Sequence, residues 1–362
     1  MFKLRPLPLL PLMILVAITF FSIITLYSAC AGNFFPWCEK QLWRVLLGII
    51  VLIVVANIKF SVWKKYGFCL YLICLLALIA VEVMGKISMG AQRWLKLGTL
   101  TLQPAEFMRI VLIMVLARYF SIQSMDDNRR TKTLLIPTFA TIIPVGFVLL
   151  QPDLGTAMLL ILVFLSILFA CGVQVWKFLI VFAGTLACTP ILWSCLYDYQ
   201  KRRILMFLNP EMDPCGSGYH IIQSKIALGS GGIWGKGFLN GTQCQLNFLP
   251  EKHTDFIFAS FAEEFGFFGC LVLLILYTLL CIFNFSIVLS SRQKFYQIMV
   301  FGLSTMMFFY IVINIAMVCG LLPVVGIPLP FFSYGGNALI TLMACQGLIF
   351  SAYYEQQNPE KI

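Results

Sequence analysis

Apolar runs of about 20 residues recur along nearly the whole of this chain, and that recurrence decides what it can fold into. A helix rises about 1.5 Å per residue, so such a run spans the roughly 30 Å hydrocarbon core of a bilayer. In hydrocarbon every backbone N–H and C=O needs an internal partner, which makes each run a helix. About ten runs qualify, near 7–29, 42–58, 66–84, 104–121, 133–150, 154–172, 177–196, 263–289, 296–320 and 336–354. Apolar residues make up 60% of the chain and charged residues 11%, which excludes an ordinary soluble domain, where charge approaches about a quarter. The expected fold is an all-α polytopic membrane protein forming one integral-membrane domain over 1–362. Seven helices fall in 1–196, one large loop in 197–262 and three helices in 263–362.

The first run follows Lys3 and Arg5 as a signal peptide would, but it is too long and lacks a small-x-small cleavage site, so it reads as a retained helix. Lys and Arg in short loops set the orientation. On one side lie Lys3, Arg5, Lys59, Lys64, Lys65, Arg118, Arg129, Arg130, Lys132, Lys177, Arg292, Lys294 and Lys361, against Lys40, Arg44, Lys86, Arg93 and Lys96 on the other. Both termini are therefore expected in the cytoplasm and the large loop outside. That bias, together with anionic lipid head groups, accounts for the net charge of +10, and no basic run is dense enough for a nucleic-acid partner. The 13 cysteines are scattered with no Cys-x-x-Cys pair; Cys30, Cys38, Cys215 and Cys244 would face an oxidising compartment, and no pairing is assigned. No internal repeat is visible to argue for an inverted-repeat transporter.

The polar interruptions carry the chemistry. Gly85 to Gln103 mixes cations with Trp94 in the manner of an interfacial segment. It anchors at head groups, or Arg93 and Lys96 hold an anionic ligand, since guanidinium matches phosphate oxygens. The fourth helix opens Gln103-Pro-Ala-Glu-Phe-Met-Arg109, with Pro where a helix start tolerates it. Glu106 and Arg109 stand three apart and pair on one face. A charge at mid-bilayer costs about 2.5–3.5 kcal/mol, so this pair should face protein or a wet cavity, with structural bracing as the first reading. In Gln151-Pro-Asp-Leu-Gly-Thr156, Asp153 is expected to cap the sixth helix rather than to catalyse. Pro137, Pro144 and Pro190 imply kinks whose freed carbonyls neighbouring helices must satisfy.

The large loop has its own order. Lys201-Arg-Arg203 is a cationic cluster, Asn209 to Pro214 is turn-rich, and Tyr219 to Leu228 has the pattern of a short amphipathic helix. Gly229 to Gly237, with Lys236 inside it, lets backbone approach a ligand but is not a Walker loop. His220 and His253, the only histidines, lie too far apart in sequence to argue for zinc. The loop ends in Phe248-Leu-Pro-Glu-Lys-His-Thr-Asp-Phe-Ile-Phe-Ala259, which gathers Glu251, His253 and Asp255 where water meets the bilayer. Three roles compete for Asp255: a cap for the eighth helix, a ligand with Glu251 for a divalent cation such as magnesium or manganese, or a general base. Gly320 to Gly336 is apolar yet full of Pro and Gly, the signature of a re-entrant segment lining a cavity.

Several of these stretches resemble one family when taken together. They are Gly90-Ala-Gln-Arg-Trp94, Gln103-Pro-Ala-Glu106, Gln151-Pro-Asp-Leu-Gly-Thr156, Phe207-Leu-Asn-Pro210 with Asp213-Pro214, Gly218-Tyr-His220, Gln223, Gly229-Ser-Gly-Gly232, Gly235-Lys-Gly237, Gly241-Thr-Gln243, Phe248 to Phe258, and Pro323 to Gly336. Across nearly its whole length the chain resembles the SEDS proteins (shape, elongation, division and sporulation), and Gly326-Ile-Pro-Leu-Pro330 with the absence of long tails favours the elongation branch. The resemblance implies a ten-helix peptidoglycan glycosyltransferase in the bacterial cytoplasmic membrane, polymerising lipid II on its outer face. Its implied partners are a class B penicillin-binding transpeptidase and other membrane proteins of the elongation complex.

Asp255 falls on the family's essential loop aspartate, with Glu251 and His253 beside it. Glu106 and Arg109 fall on a charged pair whose second member is usually Lys. The chain also departs from the family pattern at Ala105 and Asn337, where Ser is usual. On this reading Asp255 deprotonates the acceptor 4-hydroxyl for an inverting transfer, and Arg93, Lys96, Lys201, Arg202, Arg203, Lys236 and Gln243 hold substrate, with a divalent cation able to assist. Two other classes stay open: a lipid II flippase, which intramembrane charges would suit, and a non-catalytic scaffold for the transpeptidase.

Overall fold

Each apolar run expected to cross a bilayer is helical. The computed structural model describes residues 5–357 except 89–90, 98–99, 197, 210–216, 247 and 250. The turn-rich Pro210 to Pro214 and Cys215 therefore lie outside the described residues, as do the side chains of Arg202 and Arg203. In chain order the elements are α1 (Leu9–Ala29), α2 (Trp37–Asn57), α3 (Phe60–Met84), β1 (Lys86–Ser88), β2 (Ala91–Leu97), β3 (Leu100–Leu102), α4 (Pro104–Ile122), α5 (Met125–Asn128), α6 (Thr131–Leu150) and α7 (Leu154–Ala170). There follow α8 (Val175–Ala187), α9 (Thr189–Cys195), α10 (Asp198–Leu208), α11 (Ser217–Ser230), α12 (Thr242–Gln245), α13 (Ile257–Ser290), α14 (Lys294–Val318) and α15 (Gly336–Gln357). Six of them, α1, α3, α6, α13, α14 and α15, are long and apolar enough to cross a membrane by length and composition.

The core of the bundle is α4 and α14. Both bury most of their residues, and a largely apolar helix of that kind is stable only when surrounded. Helix α4 packs against α3, α6, α7 and α14, while α15 lies along α2. By contrast α8 buries none of its residues and packs mainly against α9. Arg5 pairs with Glu355 at 3.2 Å, which fixes both termini at one end. The long polar segment gathers at the other end.

Proline shapes the bundle in two ways. Pro137 and Pro144 stay inside α6, where each withholds the N–H that would bond four residues back. The freed carbonyls are those of Thr133 and Ala140; the Tyr119 hydroxyl donates to the first at 2.7 Å and the Tyr71 hydroxyl to the second at 2.8 Å. Pro190 behaves differently from the kink expected of it: the seventh run breaks at Cys188, and Pro190 occupies the first turn of a new helix. That position has no N–H to lose.

Two further departures bear on the site. The segment read as interfacial, Gly85 to Gln103, folds as an antiparallel three-stranded sheet in the order β1-β2-β3, with Ile87 opposite Gln92 and Leu95 opposite Leu102. Outside a helix its backbone needs partners, and pairing with itself supplies them. The eighth spanning helix begins at Ile257, several residues before the apolar run, and it is interrupted at Gly266 (φ +63). There the glycine-rich loop enters the hydrogen-bond ladder. The carbonyls of Glu263 and Glu264 accept from Lys236 and Gly237 N–H at 3.0 Å each, while Phe267 and Phe268 N–H donate to Gly232 and Ile233 carbonyls at 2.9 and 3.1 Å. A Cβ on Gly235 would stand 2.0 Å from the Glu264 carbonyl oxygen, so only glycine fits.

Candidate functional site

The tight turn from Glu251 to Phe256 carries the leading acid. Thr254 and Phe256 N–H both donate to the Glu251 carbonyl at 3.2 Å, and the Thr254 hydroxyl donates to Glu251 Oε2 at 2.9 Å. Glu251 is thus engaged in its own turn. The N-cap of α13 is Phe256, with no side-chain cap bond, and Asp255 stands one residue before it. The Asp255 backbone is seated from below: Asn314 Nδ2, on α14, donates to the Asp255 carbonyl at 3.1 Å and to the Ile327 carbonyl at 2.7 Å. Asn314 is fully buried.

One amide therefore ties the acidic turn to the proline-rich segment between α14 and α15. That segment is irregular and buried, through Val325, Ile327, Leu329, Phe331 and Phe332, as expected of a re-entrant wall. Gly326 (φ +76) faces the carboxylate, and a Cβ there would stand 3.6 Å from Asp255 Oδ2. Asp255 itself is partly exposed.

His253 lies against the same wall, its carbonyl accepting from Tyr334 N–H at 2.9 Å. Its ring stacks on Trp37 at 4.8 Å, and Trp37 meets Tyr334 edge-on at 5.0 Å. Burial pushes the His253 imidazole down to about 4, and the Lys252 cation adds to the effect, so the ring is neutral near pH 7. Its Nδ1 is buried without a hydrogen-bond partner. Lys252 donates to the Cys244 carbonyl at 2.8 Å. Burial also lowers His220, against the opposing pull of the Glu251 charge.

Deeper in the bundle, Glu106 and Arg109 form a two-pronged pair, Nη1 to Oε2 at 2.9 Å and Nη2 to Oε1 at 3.0 Å. Thr156 Oγ1 accepts from Arg109 Nη2 at 2.8 Å, and the Tyr310 hydroxyl donates to Glu106 Oε2 at 3.1 Å. The guanidinium also lies 5.0 Å from the centre of the Tyr310 ring. Both charges are buried in protein. Asp153 caps α7 by accepting from Thr156 N–H at 3.3 Å.

The other cations are less free than their sequence suggested. Arg93 donates to the Gln151 carbonyl at 3.2 Å and to the Pro152 carbonyl, and its Nη1 lies 3.8 Å from Asp153 Oδ1. That guanidinium braces the turn before α7 rather than reaching outward for an anion. Lys236 is held by Glu263 Oε1 at 2.6 Å, and the same carboxylate accepts from Gln243 N–H at 3.2 Å. Gln243 Oε1 is buried without a hydrogen-bond partner. Lys96 is exposed on β2, and Lys201 is half-buried on α10. Among the described residues no three His, Cys, Asp or Glu side chains converge to hold a metal ion by themselves. Cys30, Cys38 and Cys244 are free thiols.

Sequence reading missed Tyr310 and Asn314, which link the buried pair to the acidic turn from one face of α14. Their four-residue spacing inside an apolar run was the signal that could have found them.

A polytopic bundle with an acid seated at the rim of a re-entrant wall defines the class of molecule, and comparison with known proteins gives the family. The sequence profile of the cell cycle proteins FtsW, RodA and SpoVE matches residues 5–358. The chain belongs to that family, the SEDS proteins, and is a multi-pass membrane protein. It is 44% identical over 353 residues to the peptidoglycan glycosyltransferase MrdB of Escherichia coli K12, covering 97% of this chain and 94% of that one. Among solved structures, a chain from a peptidoglycan synthase complex that coordinates polymerization and crosslinking superposes with a TM-score of 0.84 at 28% identity, covering 97% of this chain and 98% of that one. The rod shape determining protein RodA of Thermus thermophilus superposes with a TM-score of 0.73 at 26% identity, covering 97% of each chain.

Proposed function

We propose that this chain is a peptidoglycan glycosyltransferase of cell elongation, polymerising lipid II at the outer face of the bacterial cytoplasmic membrane with Asp255 as general base. The observation that carries this reading is the seating of Asp255, whose main chain is pinned to the re-entrant wall by buried Asn314 while its carboxylate faces Gly326. A base must be held in place to take a proton from a hydroxyl as that hydroxyl attacks.

In the reaction, the acceptor 4-hydroxyl loses its proton to Asp255 and its oxygen attacks the anomeric carbon of the donor. The bond from that carbon to the diphosphate breaks, and the sugar inverts, as in other chemistry with a carboxylate base on the opposite face. The tail of the donor stays in lipid and the sugars in water, so the site belongs at the boundary between them. Neutral His253 and the Trp37 ring beside it offer a flat surface for a sugar. A class B penicillin-binding transpeptidase is the partner expected to crosslink the product, with both termini of this chain in the cytoplasm.

A flippase would need a charged path open to its cargo, whereas Glu106 and Arg109 are buried and bonded to each other, to Thr156 and to Tyr310. The test is polymerisation of labelled lipid II by the purified protein with its transpeptidase. Asp255→Ala should stay folded and make no glycan, and glycan formation by that variant would remove Asp255 as the base.

A further inference from the structure

Of the cations expected to hold an anion, Arg93 and Lys236 are engaged within the fold, but one arginine outside that group has no counter-ion among the described residues. Arg44, on the second turn of α2, lies 4.3 Å from the centre of the Tyr334 ring, and its Nη1 is buried without a hydrogen-bond partner. Among the described residues it makes no ion pair. Arg109 too has an unpartnered nitrogen, Nε, yet its charge is met by Glu106, whereas Arg44 has no carboxylate among the described residues and its guanidinium can take an acceptor.

The surroundings say what kind of acceptor. A Cβ on Gly336 would stand 3.1 Å from Arg44 Nε, so the guanidinium sits against the first turn of α15. The start of a helix carries free N–H groups and about half a positive charge. A cation and a helix start repel each other unless an anion lies between them.

Two more observations locate the ligand. The flanking Trp43 and Leu47 are 65% and 48% exposed, so the arginine opens at the lipid-facing side of α2. Tyr334 and Trp37 connect it to His253, two residues from Asp255, through ring contacts of about 5 Å. An anion held here would sit at the membrane edge, beside the acidic turn.

We infer that Arg44 and the first turn of α15 bind a phosphoryl group borne on a lipid, and that this group is the diphosphate of the polyprenyl-linked donor. The second half of that statement rests on the polymerase reading above. Bulk phospholipid head groups carry the same chemistry, so the experiment must separate the two sources.

The full chain in phosphatidylcholine nanodiscs should bind polyprenyl diphosphate more tightly than polyprenyl monophosphate. Arg44→Gln should weaken diphosphate binding about tenfold, the loss expected for one charge-assisted hydrogen bond, and Arg44→Lys should regain part of it. Gly336→Ala, which crowds the guanidinium while keeping its charge, should also weaken binding and guards against a misfolded Arg44 variant. In polymerisation of lipid II with the transpeptidase, Arg44→Gln should raise KM with a smaller change in kcat.

Equal diphosphate binding by wild type and both Arg44 variants overturns the site. Displacement of the diphosphate by an equal concentration of phosphatidylglycerol overturns the donor assignment in favour of head groups. Arg44-dependent binding in a wild type that makes no glycan leaves the phosphoryl site standing and fails the polymerase reading, whereas glycan formation with Arg44-independent binding does the reverse.

Discussion

The pair Glu106–Arg109 and the cluster around Arg44 are both arginine sites on spanning helices, yet they are built in opposite ways. In the first, carboxylate, threonine, tyrosine hydroxyl and aromatic face all converge on the charges, and both residues are almost wholly buried. In the second, the guanidinium keeps an aromatic face but has no carboxylate beside it; each arginine has one unpartnered nitrogen, Arg109 Nε and Arg44 Nη1, and only Arg109 has a counter-ion. A charge that has its counter-ion holds helices together; one without a counter-ion is open to an anion from outside. The difference divides the molecule into a braced interior and a receptive end, with α14 joining them through Tyr310 and Asn314.

Breaking the braced side should cost most. Arg109→Met leaves Glu106 buried without its counter-ion, and about 3–5 kcal/mol of stability should be lost. Thermal unfolding in detergent should show it as a large drop in Tm, while Arg44→Gln, on a half-buried side chain, moves Tm little. Similar drops in both would erase the contrast. Next is the joint between the two regions. Asn314→Leu strands the Asp255 and Ile327 carbonyls, a loss of about 1–3 kcal/mol, and kcat should fall further than stability does because the base is no longer held. Unchanged kcat at unchanged lipid II affinity would make Asn314 a packing residue only.

The smallest effect is a pH dependence at the receptive end. His253 takes a proton in the folded protein only at about 4, against the ordinary 6.5 in the unfolded chain. Between those values the unfolded state binds the extra proton, so stability should fall as pH drops from about 6.5 towards 4. His253→Gln should flatten the unfolding curve in that window. An equal slope in the variant would assign the dependence to other groups.

Much of the bundle was legible because hydrocarbon permits so few backbone solutions: apolar runs, punctuated by proline and charge, gave the helices directly. The pairing and burial of Glu106 with Arg109 also followed, since neither charge could face lipid. What stayed hidden depends on contacts across long stretches of chain. Arg93 looked free because its partners, the carbonyls of Gln151 and Pro152, carry no side-chain signature. Arg44 looked like one more loop cation because its neighbours Tyr334 and Gly336 lie nearly the whole chain away. Asp255 was found from local composition and family resemblance, but its hold on the wall required Asn314, a single amide in a long apolar helix.

The loop strand spliced into α13 has a consequence for how this stretch of chain can vary in length. Four backbone bonds match Gly232, Ile233, Lys236 and Gly237 to fixed carbonyls and amides on either side of Gly266. Apart from Gly235, where no side chain fits, the strand is held by its backbone, and one residue added or lost between Gly232 and Gly237 would put every later donor and acceptor out of step. Of all the surface segments here, this one should be the least forgiving of insertions and deletions, although it bears the glycines that elsewhere mark a chain as pliable.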